Sequence, residues 1–264
     1  MVGRSGGGVE RDYGTDANSG LIPGVVSAFA LGTRTIATAF NSIAAPQDVW
    51  PGPTAEMVLP IADESWEVVS SSAADTLGGA GAEAVLIAAL DSNRNELAII
   101  TQNLNGTTPV VLPGGATYFR LNAAAVAGVN SVGTRRRNQG DITIRVAGGG
   151  AVRGVMPAFT CALAQAIYTV PSGKYLSLYS IECQVLGSVG GTTRGADFRL
   201  SFRNPNGVTW SPHAIGTTDM QPYVLSPQLR IRVNAGFDFI IQCTYASANN
   251  LTVGIAWEGT LSNN

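Results

Sequence analysis

Along most of the chain apolar and polar residues alternate with a period of two, the repeat of a strand with one face on a core and one in solvent. The pattern is cleanest in the C-terminal half. There "ADFRLSFR" (196–203) sets Phe198, Leu200 and Phe202 on one face and Arg199, Ser201 and Arg203 on the other. "LRIRV" (229–233) sets Leu229, Ile231 and Val233 against Arg230 and Arg232. "GFDFIIQCTY" (236–245) points Phe237, Phe239, Ile241, Cys243 and Tyr245 one way, and "LTVGIAW" (251–257) closes with Leu251, Val253, Ile255 and Trp257. Nearer the N-terminus "DITIRV" (141–146) alternates well, "WEVVSSS" (66–72) and "ATYFRLNAAAV" (116–126) more loosely. "AEAVLIAAL" (82–90) reads as a buried strand, because it is short and bounded by Gly81 and Asp91. No stretch has the period of a long amphipathic helix.

The expected fold is therefore all-β: two antiparallel β-sandwich modules, jelly-roll-like, covering residues 24–150 and 151–264. The glycine-rich stretch "VAGGGAVRGVMP" (146–157) reads as the joint between them. Residues 1–23 form an extended glycine-rich arm. With almost no aliphatic side chains to offset the backbone entropy of ordering, about 1–2 kcal/mol per residue, such an arm is expected to order only against other molecules. Val2, Val9 and Tyr13 are its candidate anchors, and Arg4 and Arg11 can pair with acidic neighbours.

Composition adds to this. Only 13% of the 264 residues are charged, 45% are hydrophobic and 32 are glycine, which excludes a disordered chain and suits many short strands joined by glycine turns. A weakly charged surface is also what a protein shows when partners cover it. The net charge of −2 gives no field that would draw the molecule to nucleic acid. The one basic cluster, Arg135-Arg136-Arg137, reads as an exposed turn or a pairing patch for an acidic neighbour. No apolar run reaches the roughly 18–20 residues of a membrane helix. Three cysteines, an odd number, and an N-terminus without an apolar leader argue against a disulfide framework.

Several strings imitate functional motifs and lack their context. In "LDSNRNELAIITQ" Asp91, Asn93 and Asn95 are spaced like the start of a calcium loop, yet Glu96 replaces the glycine at position 6 and Gln102 the glutamate at position 12. A hairpin turn is the expectation. Gly79-x-Gly81-x-x-Ala84 matches a loose dinucleotide fingerprint without the strand and helix it requires. "GRSGG" fits a nucleophile-elbow string but lies in the coreless arm. His213, the only histidine, sits in a loop-like stretch with no marked partner. Asp63, Glu64 and Glu67 beside Trp66 could form a glycosidase-like pair with a sugar-stacking ring, or a charged turn before a strand; the latter is expected. We therefore expect no catalytic, cofactor or metal residues and no enzyme activity.

"QDVWPG" (47–52), the run "SSSAADTLGGAGAEAVLIAALDSNRNELAIITQNLNGTTPV" (70–110) and "RNQGDITIRV" (137–146) resemble a style of tailed-bacteriophage virion protein found in phages of aquatic bacteria, cyanophages included. "AIYTVPSGKYLSLYSIEC" (166–183), "FRLSFRNPNGVTW" (198–210) and "TYASANNLTVGIAWEGTL" (244–261) look like the second half of the same proteins, so the resemblance spans roughly residues 22–261. It implies a non-enzymatic virion component assembled in the host cytoplasm, either a capsid cement or decoration protein or a tail component. The implied partners are the major capsid protein or tail proteins of the same particle. Self-association, with a trimer as the guess, is expected, and neither nucleic acid nor membrane. The alternative is a tail-associated receptor- or carbohydrate-binding module using an exposed tryptophan such as Trp66 or Trp210.

Overall fold

In the computed structural model residues 25–42, 44–127, 137–187, 194–218, 223–225 and 231–263 are described, and every regular element among them is a strand. The first three are β1 (Val25–Ile36), β2 (Phe40–Asn41) and β3 (Gln47–Asp48). Then come β4 (Trp66–Ser70), β5 (Ala84–Leu90), β6 (Ile100–Asn103), β7 (Val110–Val111), β8 (Arg120–Ala127), β9 (Ile142–Val146) and β10 (Val152–Met156). The C-terminal half contributes β11 (Ile167–Thr169), β12 (Lys174–Gly187), β13 (Gly195–Arg203) and β14 (Thr209–Thr218). It ends with β15 (Tyr223–Leu225), β16 (Ile231–Val233), β17 (Asp238–Ala246) and β18 (Leu251–Asn263).

These strands form two antiparallel β-sandwiches. The N-terminal one packs the sheet β10-β9-β4-β7 against the sheet β6-β5-β8 around Trp66, Val85, Ile87, Ile142 and Ile144. The C-terminal one packs β1-β18-β12-β15, with β16 beside β12, against β11-β17-β13-β14, with β2 and β3 beside β17. Its core holds Phe198, Leu200, Phe239, Ile255 and Trp257. Trp257 is met edge-on by Tyr168 and Phe239, both with ring centroids at 5.3 Å. Each fully buried apolar side chain of this kind contributes about 1.5–3 kcal/mol over its exposed form.

The long strand β12 shows how the pattern is kept in phase. Leu176 and Leu178 face the core, and so do Ile181, Cys183 and Val185, which have the opposite parity. A register shift between Leu178 and Ser180 against β18 absorbs the odd residue. That bulge rescues an alternation that a flat strand would lose.

Three expectations are corrected. Residues 25–48, assigned to the first module, pair with the second: β1 runs antiparallel to β18 from Val25↔Ser262 to Ile36↔Leu251, and β2 and β3 pair with β17. Beyond the expected joint, β10 pairs with β9 and completes the first module. The glycines at 148 and 149 have φ of 84° and 79°, so they make the tight turn of a β9–β10 hairpin, not a linker. The exposed face predicted for "ADFRLSFR" also fails at Ser201, which is fully buried. The second face of that sheet is covered in turn: Gln242 accepts from Ser201 Oγ (3.0 Å) and Arg199 Nη2 (2.7 Å) and donates to Asp48 Oδ1 (2.8 Å).

Candidate assembly surface

The residues whose spacing imitates a catalytic pair are held by partners within the chain. Trp66 is fully buried, stacked on Tyr118 at 5.2 Å, and its indole N–H donates to Glu64 Oε2 at 3.0 Å. Glu64 accepts from Arg153 through Nη2 (2.6 Å) and Nε (2.8 Å). Burial would lift the Glu64 carboxyl, but Arg153 and Trp66 outweigh it and hold it below the usual carboxylate range. Glu67 accepts from the Gly148 amide (2.9 Å), Arg145 Nε (2.7 Å) and the Gly149 amide (3.1 Å). The Gly148 amide, ahead of the opposing burial, and then Arg145 keep its carboxyl low as well. Asp63 accepts from Ser92 Oγ at 2.9 Å. Two glutamates paired to different arginines stay ionised near neutral pH, and neither is shaped as a proton donor to a substrate. The sugar-stacking role offered for Trp66 is excluded by its burial.

The segment from Asp91 to Glu96 is a hairpin turn. Asp91 Oδ1 accepts from the Asn95 amide (2.8 Å) and Oδ2 from Asn95 Nδ2 (3.1 Å), so the leading carboxylate closes its own loop. Arg94, at φ 62°, supplies the left-handed residue. What the sequence did not reveal is where the turn goes. The Ser172 amide donates to the Arg94 carbonyl (2.8 Å), Lys174 Nζ meets Glu96 Oε2 (2.5 Å), and the Arg94 side chain passes close to Gly236. The turn is a clasp between the two sandwiches.

Behind it Arg120 and Asp238, both almost fully buried, form a two-pronged ion pair of 3.0 and 3.2 Å that also links the sandwiches. Thr169 Oγ1 donates to Asp238 Oδ1 (2.6 Å), and Arg120 Nη1 donates to the Pro60 carbonyl (2.7 Å). A small apolar cluster of Trp50, Met57, Ile167 and Ile240 seals the same joint. Isolated buried ion pairs seldom stabilise by themselves, but loss of one partner strands the other. The clasp, the ion pair and the cluster together fix one sandwich on the other.

The three thiols are free. Cys183 and Cys243 lie in the C-terminal core; burial raises both, Cys243 to about 12, so neither is a nucleophile at neutral pH. His213 lies in β14, not in a loop, at the register position opposite Leu200. Gly81 has a structural reason: a Cβ there would stand 2.0 Å from Asp75 Oδ1. Among the described residues no group of three or more metal-ligating side chains comes together.

Of the expected assembly contacts, Val2, Arg4, Val9, Arg11, Tyr13, Arg135 and Arg136 lie outside the described residues, and Arg137 is exposed. Sequence reasoning missed the large apolar side chains that the fold leaves in solvent, among them Val58, Ile61, Leu77, Ile99 and Phe159. Trp210 is 43% exposed and braced edge-on by Phe237 at 5.3 Å, with Phe202 at 6.0 Å. The N-terminal motifs quoted for the phage resemblance are largely turn chemistry in the structure. Gly106 of "LNGTTPV" has φ 57°, with the Thr108 amide on the Asn105 carbonyl at 3.0 Å.

No protein-family model and no curated protein matches the chain. Among solved structures it aligns with a structure of the infectious bursal disease virus Gt strain at 10% identity and a TM-score of 0.21, over 92% of this chain and 74% of that one. It aligns with the VP2 subviral particle of the same virus at 11% identity and a TM-score of 0.12, over 91% and 80%. Likeness at these scores carries no argument about fold or function.

Proposed function

We propose that this chain is a non-enzymatic structural component of a tailed-phage virion, a cement or decoration protein that stabilises the head by contacts between subunits. The observation that carries the reading is the ordered series of phage-like turn motifs along residues 22–261, with "LDSNRNE" at its centre. In the fold that turn fastens two sandwiches into one block, as a stabiliser that must transmit load between neighbours requires. The apolar side chains left in solvent fit the same role, since burying them needs a partner. In this reading the arm 1–23 lies along a neighbouring molecule, the arginine turn meets acidic groups, and copies associate about a local symmetry axis, as a trimer.

A second reading is favoured by one observation, the exposed ring of Trp210 braced by Phe237. On a tail-associated module that ring would stack on a sugar of the host surface. Copy number per particle, by gel densitometry of purified virions, separates the two. Hundreds of copies are expected for a head stabiliser; a handful would move the protein to the tail, and absence from virions would end both readings.

A further inference from the structure

We propose that Phe159 is the anchor of a protein-docking surface, a ring offered to an apolar pocket whose rim carries carboxylates. Four described residues other than glycine have a positive φ. Arg94 closes the hairpin described above, and Asn250, a residue type that tolerates this region, makes the turn between β17 and β18. The other two, Phe159 (φ 66°) and Cys161 (φ 60°), stand two positions apart in the loop that leaves β10 for the second sandwich.

The Thr160 amide donates to the Pro157 carbonyl at 3.1 Å and closes a four-residue turn with Phe159 third. Where that position has a positive φ, glycine or asparagine normally fills it. A bulky side chain there is strained, and strain of this kind persists only where the surroundings enforce it. The frame that enforces it is Asn138, which is fully buried. Its carbonyl accepts from the Phe159 amide (2.9 Å) and its Oδ1 from the Cys161 amide (3.0 Å). Its Nδ2 donates to the carbonyls of Gly140 (2.9 Å) and Pro157 (2.7 Å). Asp141 Oδ1 accepts from the Ala158 amide at 2.8 Å.

Among the described residues nothing accounts for the ring. Phe159 is 57% exposed and belongs to none of the three core clusters. The fold thus holds a large apolar group outward, in a backbone conformation that disfavours it, on a rigid support. Rigid aromatic anchors of this sort supply most of the energy of protein interfaces. The charge beside it sets the partner's chemistry. Arg137 is exposed at the backbone position next to Asn138, while the exposed carboxylate of the frame, Asp141, is engaged by the Ala158 amide. An exposed cation on the segment that frames an apolar anchor matches a pocket rimmed by Asp or Glu. A phosphate backbone would meet Asp141 and a chain of net charge −2, which favours a protein over a nucleic acid.

The test rests on the virion reading and uses the full chain with particles assembled without it. Wild type is expected to attach; failure to attach would overturn the virion reading itself. Phe159→Gly is expected to attach about tenfold more weakly or worse, yet to melt no lower than wild type, because the turn is relieved. Phe159→Ala keeps the Cβ in the left-handed region, so it should lose attachment equally and melt below Phe159→Gly. Arg137→Glu should weaken attachment with a salt-dependent loss. Undiminished attachment of Phe159→Gly overturns the proposal, and so does a marked fall in its melting temperature, which would make the ring structural. Binding of single-stranded oligo-dT by wild type but not by Phe159→Gly would also overturn it, in favour of nucleic acid.

Discussion

The C-terminal sandwich is built from long ladders: β1, β12 and β18 have 12, 14 and 13 residues. Among the described residues of the N-terminal sandwich the longest strand, β8, has 8 residues and β7 has 2. The first holds itself by continuous pairing over an apolar core. The second has too little ladder for that, and its loops are pinned by buried polar side chains instead. Asp75, fully buried, accepts from Ser70 Oγ (2.6 Å) and from the amides of Ala82 (2.8 Å), Gln139 (2.8 Å) and Gly140 (2.9 Å). Asn138 and Glu67 do the same for other loops. A carboxylate in one half is thus the counterpart of a tryptophan in the other, and the two halves should fail differently.

The largest expected effect is at the C-terminal core. Trp257→Ala should destabilise by about 3–5 kcal/mol, measured by denaturant unfolding. Trp257→Phe should be much milder, since the buried indole N–H has no acceptor to lose among the described residues. A loss below about 1 kcal/mol for the alanine variant would mean that this core is not what holds the sandwich.

Next comes Asp75→Ala, which leaves three amides and a hydroxyl without their acceptor, at roughly 1–3 kcal/mol for each group that water cannot reach. About 3 kcal/mol is the expected total, with hydrogen exchange rising in the loops around residues 71–82 and 138–141 and not in β12 or β18. Equal exchange in both sandwiches would dissolve the distinction between them.

Glu67→Gln should cost about 1–3 kcal/mol at neutral pH, as expected for a hydrogen-bonded charged acceptor. The folded chain holds this carboxyl below its ordinary value of 4.5. Its stabilisation is therefore complete above pH 4.5 and is lost as pH falls through the folded value. Stability measured through that acid range should fall less steeply in the variant. An unchanged slope would show that Glu67 is not held as an ion.

The smallest effect belongs to the clasp. Lys174→Ala removes an ion pair with a 48% exposed Glu96 side chain, worth roughly 0.2–1 kcal/mol and fading with salt. A loss of several kcal/mol would mean that the turn contacts, more than the buried Arg120–Asp238 pair, fix one sandwich on the other.

The same contrast explains what could be read from the sequence. Period-two strands over a core announce themselves, so Phe198, Leu200, Val253 and Trp257 were legible, and so was the turn at Asp91. Long-range choices were not. Nothing local in "VVSAFALGTRTI" says that it pairs with β18, and nothing in "VAGGGAVRG" separates a hairpin from a linker except φ. Ser201 reads as surface until the covering segment around Asp48 is in place. A sugar-stacking alternative stays open for Trp66 until Tyr118 and Glu64 enclose it. Phe159 left no signal at all, because its interest lies in a dihedral angle and in what fails to cover it.

The pairing of β1 with β18 also sets an order of events during synthesis. Thr35 and Thr252, whose hydroxyls meet at 3.2 Å, are 217 residues apart along the chain. At about 5–20 residues per second, β1 leaves the ribosome on the order of ten seconds or more before its partner. By then β4 to β10 have everything needed for their own sheets. The leading stretch "VVSAFALG" meanwhile carries no charge and no proline to guard it, the features that invite pairing with the wrong strand. Nascent chains halted before β18 leaves the ribosome should show β4 to β10 protected from proteolysis and β1 still open; protection of β1 in such chains would remove the delay. The earliest of the described strands is then expected to be the last seated, and the yield of folded protein should depend on how well that strand is kept from other partners while it waits.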